Sequence, residues 1–349
     1  MATPVMTIGT RRIGAGAPVF IVAEIGASHG GNPDRAARLI EAAARCGVDA
    51  VKLQTIDVNE SYVPGTLSYA VFKDLWLPVE SLRRLMRVAS ECGVALFTTP
   101  GDPVGLRTLL DVGMPLIKIS SGLMTNLPLV EQASRTGLPL IISTGMSTLE
   151  EVAETVRCAE AAGGRQLALM HCTALYPAAA GTLNLSAMRT MAETFPYPVG
   201  YSDHYDGITA SLAAAALGAR LLEKHFTMDR AGGGPDDHFS ADPEQLTALV
   251  KNVREIERML GSAVKAAAPE ELPGRERYRR CLVARRPIAS GEIVSEDAVA
   301  VKRPLPGAQG LPPSSLSQVL GRRAARDILM NESLTLEMLG AAEAVRHAV

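Results

Sequence analysis

Positive charge in excess is missing from this chain. Its 35 Lys and Arg meet 37 Asp and Glu, for a net charge of −2, which removes the electrostatic footprint of a nucleic-acid binder. Long apolar runs are missing too, so no membrane span is expected. The opening Met1-Ala-Thr-Pro-Val-Met-Thr-Ile lacks the basic-then-apolar order of a secretory signal. Cysteines are few (46, 92, 158, 172, 281), odd in number and without a CxxC pair, which excludes a disulfide scaffold and leads us to expect a reduced, cytoplasmic protein. Cys46, Cys92 and Cys158 fall in helical patterns and are expected as inert core residues. Aromatics make up only 4% of the chain, so aliphatic side chains must fill the core.

What the chain has is alternation. Between residue 18 and about residue 260, eight short apolar runs alternate with longer amphipathic stretches. The runs are Val19–Ala23, Ala50–Gln54, Ala95–Phe97, Leu116–Ile119, Leu140–Ser143, Ala168–His171, Val199–Tyr201 and Leu221–His225. Helix starts are legible at Asn32-Pro33 and Asp242-Pro243, and Ser147-Thr-Leu-Glu150 reads as a capping box. Near-continuous apolar strands alternating with helices indicate a parallel sheet covered on both faces. Eight such units predict a closed (β/α)8 TIM barrel. An open doubly wound sheet would need a Gly-rich nucleotide loop after its first strand, and Gly26-Ala-Ser-His-Gly-Gly31 is not one. The pattern predicts a barrel over 1–262, a Pro- and charge-rich linker over 263–280, and a compact β-rich domain over 281–349. A core as small as the last gains by docking elsewhere.

Side chains at the C-terminal ends of barrel strands converge on one site. Here those ends are polar: Glu24, Lys52, Gln54, Thr99, Lys118, Ser121, Ser143, Tyr176, Ser202 and Glu223, with Asp236 in the following loop. His204 and His225 close two consecutive strands, and two imidazoles at the same end of neighbouring strands can hold one divalent cation with positions left open. Two lysines with nearby hydroxyls suit an anion carrying carboxylate and phosphate. Taken singly, each feature has a plainer reading: a strand lysine can snorkel or pair with Glu24 or Glu223, and a single histidine is more often a satisfied core residue. Polar ends on all eight strands are harder to explain that way, because burying so many polar groups costs stability unless a ligand or each other satisfies them.

Several segments, in order, carry a resemblance. They are Ala23-Glu-Ile-Gly-Ala-Ser-His-Gly-Gly31, Val51-Lys-Leu-Gln-Thr55, Lys118-Ile-Ser-Ser-Gly122, Ser143-Thr-Gly-Met146, His171-Cys-Thr-Ala-Leu-Tyr-Pro177, Gly200-Tyr-Ser-Asp-His204, Glu223-Lys-His-Phe-Thr227 and Gly234-Pro-Asp236. Together they resemble the sialic acid synthases, including the legionaminic and pseudaminic acid enzymes. The tail, with Val301-Lys-Arg-Pro304, resembles that family's antifreeze-like SAF domain. The resemblance implies condensation of phosphoenolpyruvate with the open-chain aldehyde of an N-acylated hexose, giving a nine-carbon 2-keto acid and phosphate. It implies Mn²⁺ or Mg²⁺ held by His204 and His225. It places Lys52, Thr99, Lys118, Ser121, Ser143 and Tyr176 around phosphoenolpyruvate, with Ser202 and Glu223 beside them. Glu24, Gln54 and Asp236 would face the sugar and handle protons. A homodimer with exchanged SAF domains would bring Arg303 over the neighbour's sugar. Three positions depart from the family pattern. Ser28 and Ala174 stand where Asn, or Asn and Ser, are usual, and Leu123 stands where a carboxylate is usual. The machinery for phosphoenolpyruvate and metal is thus expected intact, and the sugar pocket altered. Two other readings remain: a Schiff-base aldolase using Lys118 or Lys224, and an inactive sugar-binding relative.

Overall fold

The computed structural model describes residues 5–342, and the chain divides after Gly261 into two compact units. In the first, a hairpin of β1 (Met6–Ile8) and β2 (Arg11–Ile13) precedes eight parallel strands. These are β3 (Phe20–Gly26), β4 (Ala50–Thr55), β5 (Ala95–Pro100), β6 (Ile117–Ile119), β7 (Leu140–Ser143), β8 (Leu167–Cys172), β9 (Val199–Asp203) and β10 (Leu221–His225). They close in sequence order, β10 pairing β3, into a barrel. The main outer helices are α1 (Pro33–Arg45), α4 (Val79–Glu91), α5 (Pro103–Val112), α6 (Leu127–Arg135), α7 (Leu149–Ala161), α8 (Ala187–Thr194), α9 (Thr209–Ala216) and α10 (Pro243–Leu260). Two short helices, α2 (Val58–Ser61) and α3 (Leu67–Phe72), ride on the loop after β4.

The eight expected strands are all present, because each run is apolar on both faces and only a covered sheet buries both. Asn32 and Asp242 cap α1 and α10 with their side chains, each with Pro at the first helical position. The capping box of α7 lies one residue later than the sequence suggested, with Thr148 and Glu151 exchanging bonds at 3.3 and 2.7 Å. Among the cysteines expected in the core, Cys46 is buried and Cys158 half-buried, but Cys92 is exposed, although both Cys46 and Cys92 close a helix.

Alternation along the strands sets the interior. Inward residues near the strand starts are apolar: Phe20, Val22, Phe97, Leu116, Ile141, Ala168, Met170 and Leu221 pack with Met6, Ile8 and Ile13 of the hairpin. The hairpin therefore plugs the N-terminal end of the barrel. Each of its three buried aliphatic side chains is worth about 1.5–3 kcal/mol. Two strides along the same strands, the inward positions turn polar.

The second unit contains α11 (Leu272–Tyr278), β11 (Cys281–Ala284), β12 (Val299–Lys302), α12 (Leu316–Val319), β13 (Arg322–Ala324) and β14 (Leu339–Ala342). Helix α11 and a preceding 3-10 turn occupy the stretch read as linker. The unit repeats one device twice. Arg286 pairs with Glu292 and Arg326 with Glu332, both at 2.7 Å. In each copy that glutamate also accepts a backbone N–H, from Ala289 and from Leu329. Ile288 and Ile328 meet at the centre and exchange backbone bonds of 3.0 and 2.8 Å. Leu282, Val294, Val299, Leu334 and Leu339 close the core around them.

Candidate active site

The polar inward residues form the floor of a cavity of about 460 Å³ at the C-terminal mouth of the barrel. Register puts Glu24 beside Lys52 on one side and beside His225 on the other. Lys52 Nζ lies 2.8 Å from Glu24 Oε2 and 3.3 Å from Glu223 Oε1, and reaches Thr99 Oγ1 at 3.3 Å. Lys118 Nζ approaches the same Glu223 oxygen at 3.4 Å, to which Ser202 Oγ donates at 3.3 Å. Gln54 Nε2 donates to Glu24 Oε1 at 2.8 Å.

All four charges are buried, and burial pulls them in opposite directions. Burial raises the Glu24 carboxyl to about 7, against the opposing pull of Lys52. Burial acts the same way on Glu223, but Lys118 and Lys52 overcome it and hold that carboxyl below its ordinary value. Burial lowers Lys118, whereas Glu223 and Glu24 outweigh burial at Lys52 and raise it. The buried Ser143 Oγ and Glu223 Oε2 have no hydrogen-bond partner within the protein. Polar atoms left so in a cavity wall are ready to meet a ligand.

Above the floor, the His204 and His225 rings lie 5.3 Å apart, centroid to centroid, inclined at 60°. Burial holds His204 down to about 4 and His225 well below its ordinary value, so both are neutral at pH 7. His204 Nδ1 donates to the Thr173 carbonyl at 2.7 Å, and His225 Nδ1 sits 3.6 Å from Asp236 Oδ2. The bond to Thr173 leaves the His204 Nε2 lone pair for a ligand, and neutral His225 likewise keeps one ring nitrogen as an acceptor. Behind them, Asp203 and Lys224 are register neighbours, both fully buried. Asp203 accepts from Ser211 Oγ at 2.6 Å and from the Tyr205 N–H at 2.8 Å, and Lys224 donates to the Tyr205 carbonyl. This network fixes the strand ends that carry the two imidazoles.

Asp236 arrives on the loop between β10 and α10. Its neighbour Asp237 anchors that loop by accepting from Ser28 Oγ at 2.7 Å and from the Gly234 N–H at 2.8 Å. Gly26 makes room for Asp236. It adopts φ +52°, and a Cβ there would sit 3.1 Å from Asp236 Oδ2 and 3.2 Å from Glu24 Oε1.

This geometry has known counterparts. The NeuB family model matches residues 39–265, and the SAF domain model matches residues 279–340. The chain belongs to the NeuB family. An uncharacterised protein of Methanocaldococcus jannaschii is 40% identical over 92% of this chain and 94% of its own. An N,N'-diacetyllegionaminic acid synthase of Legionella pneumophila is 35% identical over 95% of this chain and 98% of its own. The crystal structure of an N-acetylneuraminic acid synthetase from Leptospira borgpetersenii in complex with citrate superposes with a TM-score of 0.76 at 32% identity, covering 78% of this chain and 96% of that one.

The NeuB barrel brings together Glu24, Lys52, Gln54, Thr99, Lys118, Ser121, Ser143, Tyr176, Ser202, His204, Glu223, His225 and Asp236 around one cavity. Tyr176 stands at the rim, 52% exposed, with its ring 4.1 Å from that of His204. Arg303 belongs to the second unit, where its guanidinium stacks 5.0 Å over the Tyr278 ring. Lys224, weighed as a Schiff-base nucleophile, points outward from the barrel and is engaged by Asp203. Its parity carried the signal, since in a strand whose residues 223 and 225 face inward, residue 224 cannot.

Sequence reasoning missed Ile56, Tyr62 and Phe72, which also line the cavity, as well as Asp102 and Asp237, which fasten its loops. Asp102-Pro103 was legible as a helix start, like Asn32-Pro33. Among the described residues, no group of three His, Cys, Asp or Glu side chains is spaced to hold a metal on its own. Two neutral imidazoles nonetheless suit a divalent cation completed by water and substrate oxygens.

Proposed function

We propose that this NeuB-family chain is a nonulosonic acid synthase. It joins phosphoenolpyruvate to the open-chain aldehyde of an N-acylated hexose, giving a nine-carbon 2-keto acid and phosphate. The observation that carries this reading is the pair of buried lysines linked through Glu223, set beside two neutral imidazoles in the same cavity. A phosphate ester of an enol needs the first group, and an aldehyde oxygen needs the second.

In this reading Lys52 and Lys118 receive the phosphate and carboxylate of the donor, with Thr99, Ser121 and Ser143 adding hydroxyl donors. His204 and His225 would hold Mn²⁺ or Mg²⁺, which when bound supplies Lewis acidity toward the aldehyde. C3 of the donor forms the new bond to the aldehyde carbon, and positive charge develops at C2. Water adds to C2 and gives up a proton to Glu24, whose carboxyl, raised to about 7, is poised for that transfer at neutral pH. The C2–O bond to phosphate then breaks, the departing phosphate takes the proton of the C2 hydroxyl as it moves to the two ammonium groups, and C2 becomes the ketone. Asp236, raised by burial and by Asp237, supplies the proton for the new hydroxyl. The reading includes a homodimer in which the partner's SAF domain extends Arg303 over the sugar.

The test is phosphate release from phosphoenolpyruvate with N-acetylmannosamine, mannose and 2,4-diacetamido-trideoxyhexoses. Turnover with an N-acylated hexose, abolished by a chelator and restored by Mn²⁺, supports the synthase. Borohydride trapping of substrate on Lys118 would instead make it a Schiff-base aldolase, a possibility raised by the lowered pKa of that buried amine. Silence with every sugar would leave a binding protein. In the same assay, residues 1–261 alone are expected to be inactive, and full turnover there would remove Arg303 from the site.

A further inference from the structure

The second unit holds one of its cations by the face. Among the described residues, no carboxylate pairs with Arg303 and nothing accepts a hydrogen bond from its guanidinium. Its contact is with the Tyr278 ring, 5.0 Å from the centroid. Arg286 and Arg326 in the same unit are held differently, with N–H groups engaged by Glu292 and Glu332. A guanidinium carries five N–H donors on its rim and none on its face. A carboxylate partner consumes that rim, whereas a ring against the face leaves it available.

The backbone brings the two residues together. In the antiparallel pair of β11 and β12, Cys281 lies opposite Lys302. Arg303, the residue after β12, therefore emerges beside the end of α11, whose last residue is Tyr278. Pro304 follows at once, and a residue before proline is confined to extended backbone. Lys302 is held separately, donating to Asn331 Oδ1 at 2.6 Å. The Tyr278 ring lies back along α11, where a Cβ on Gly274 would come 3.4 Å from Tyr278 Cδ2. The ring is 56% exposed, so the stack stands at the surface, and replacing Tyr278 opens no hole in the core.

Resting on the synthase reading, which puts Arg303 over the sugar of the neighbouring barrel, we infer that Tyr278 is the positioning residue for that arginine. It fixes the plane of the guanidinium and leaves the N–H rim to meet oxygens of the sugar. A long side chain loses rotamer freedom when it is immobilised on a ligand. The stack removes part of that freedom beforehand, so less is lost on binding. A cation–π contact at an exposed site corresponds to about 2- to 5-fold in an equilibrium constant. Arg277 lies 5.6 Å from the same ring and supplies a control for charge alone.

The experiment measures the acceptor KM by phosphate release with the full chain, using the N-acylated hexose that turns over in the screen above and saturating phosphoenolpyruvate. Arg303→Ala is expected to raise that KM about 10- to 100-fold, through loss of one charge-assisted contact. Tyr278→Leu keeps bulk but removes the ring face, and is expected to raise it about 2- to 5-fold, with kcat and the KM for phosphoenolpyruvate unchanged. Tyr278→Phe should restore the wild-type value, and Tyr278→Ser serves if the leucine variant does not fold. In the Arg303→Ala background, Tyr278→Leu should add nothing. Arg277→Ala should leave the acceptor KM as it is. An acceptor KM unmoved by Tyr278→Leu, or moved equally in the Arg303→Ala background or by Arg277→Ala, overturns the role of Tyr278 and leaves the synthase standing. No effect of Arg303→Ala removes that arginine from the site and Tyr278 with it, while phosphate release still supports the synthase. No release with any sugar overturns both.

Discussion

His225→Ala is expected to abolish phosphate release while leaving the barrel folded. The imidazole is neutral, held well below its ordinary pKa by burial and by His204, so its removal strands no charge. Its ring lies at the cavity wall against Phe239, 5.1 Å between centroids, and truncation enlarges space that is already open. The cost should be no more than about 1 kcal/mol, a Tm shift of about 2–4 °C. The functional loss is of another order. Removing the partner of a metal ligand costs 10–100-fold in affinity, and His225 is itself one of only two imidazoles here. Mn²⁺ affinity is therefore expected to fall by more than about 100-fold, with turnover falling at least in proportion. Calorimetry with Mn²⁺ and the phosphate assay measure both. Wild-type turnover with full metal content would remove His225 from the metal site.

Lys52→Met is expected to be the most damaging single change to the floor, for both stability and donor binding. In the wild type the ammonium lies within 3.3 Å of two buried carboxylates. Without it, Glu24 loses the charge that opposes burial, and its pKa rises further above about 7. The sign of the resulting pH dependence is fixed. A carboxyl whose folded pKa lies above its unfolded value binds a proton more tightly when folded, so stability falls as pH rises from the unfolded pKa to the folded one. In the wild type that loss ends near pH 7, whereas in the variant it continues beyond. Near pH 5 the variant should already lack the Lys52–Glu223 pair, because Glu223 stays ionised there, while Glu24 adds no further difference. Above pH 7 the variant should fall further behind, approaching the 3–5 kcal/mol typical of breaking a buried ion pair. Urea unfolding at pH 5 and pH 8 checks this, and a pH-independent difference would refute it. Phosphoenolpyruvate binding should also weaken by one charge-assisted contact, about 1.5–3 kcal/mol.

The barrel was legible because each strand is apolar on both faces, and the floor because inward parity turns from apolar to polar within each strand. Glu24, Lys52 and Glu223 could be named from strand ends alone. The hairpin Met6–Ile13 was not legible, since two three-residue strands give no periodicity to read. Nor was the Tyr62–Phe72 stack, whose partners sit on short helices brought together by loop closure rather than by any repeat. The doubled Arg–Glu device at 286/292 and 326/332 was present in the sequence at a spacing of 40 residues. At that spacing Ala284 matches Ala324 and Ile288 matches Ile328 beside the ion pair, while the surrounding positions differ in residue type, so the likeness lies in geometry more than in letters.

The stopper at the base of the barrel also governs traffic. With Met6, Ile8 and Ile13 wedged beneath the interior layers, the described residues close the base of the chamber and leave its mouth as the way in. In the synthase reading the donor lies at the bottom and the sugar above it, so the pair must queue: donor in first, sugar second, and phosphate held below until the nine-carbon product has cleared the exit.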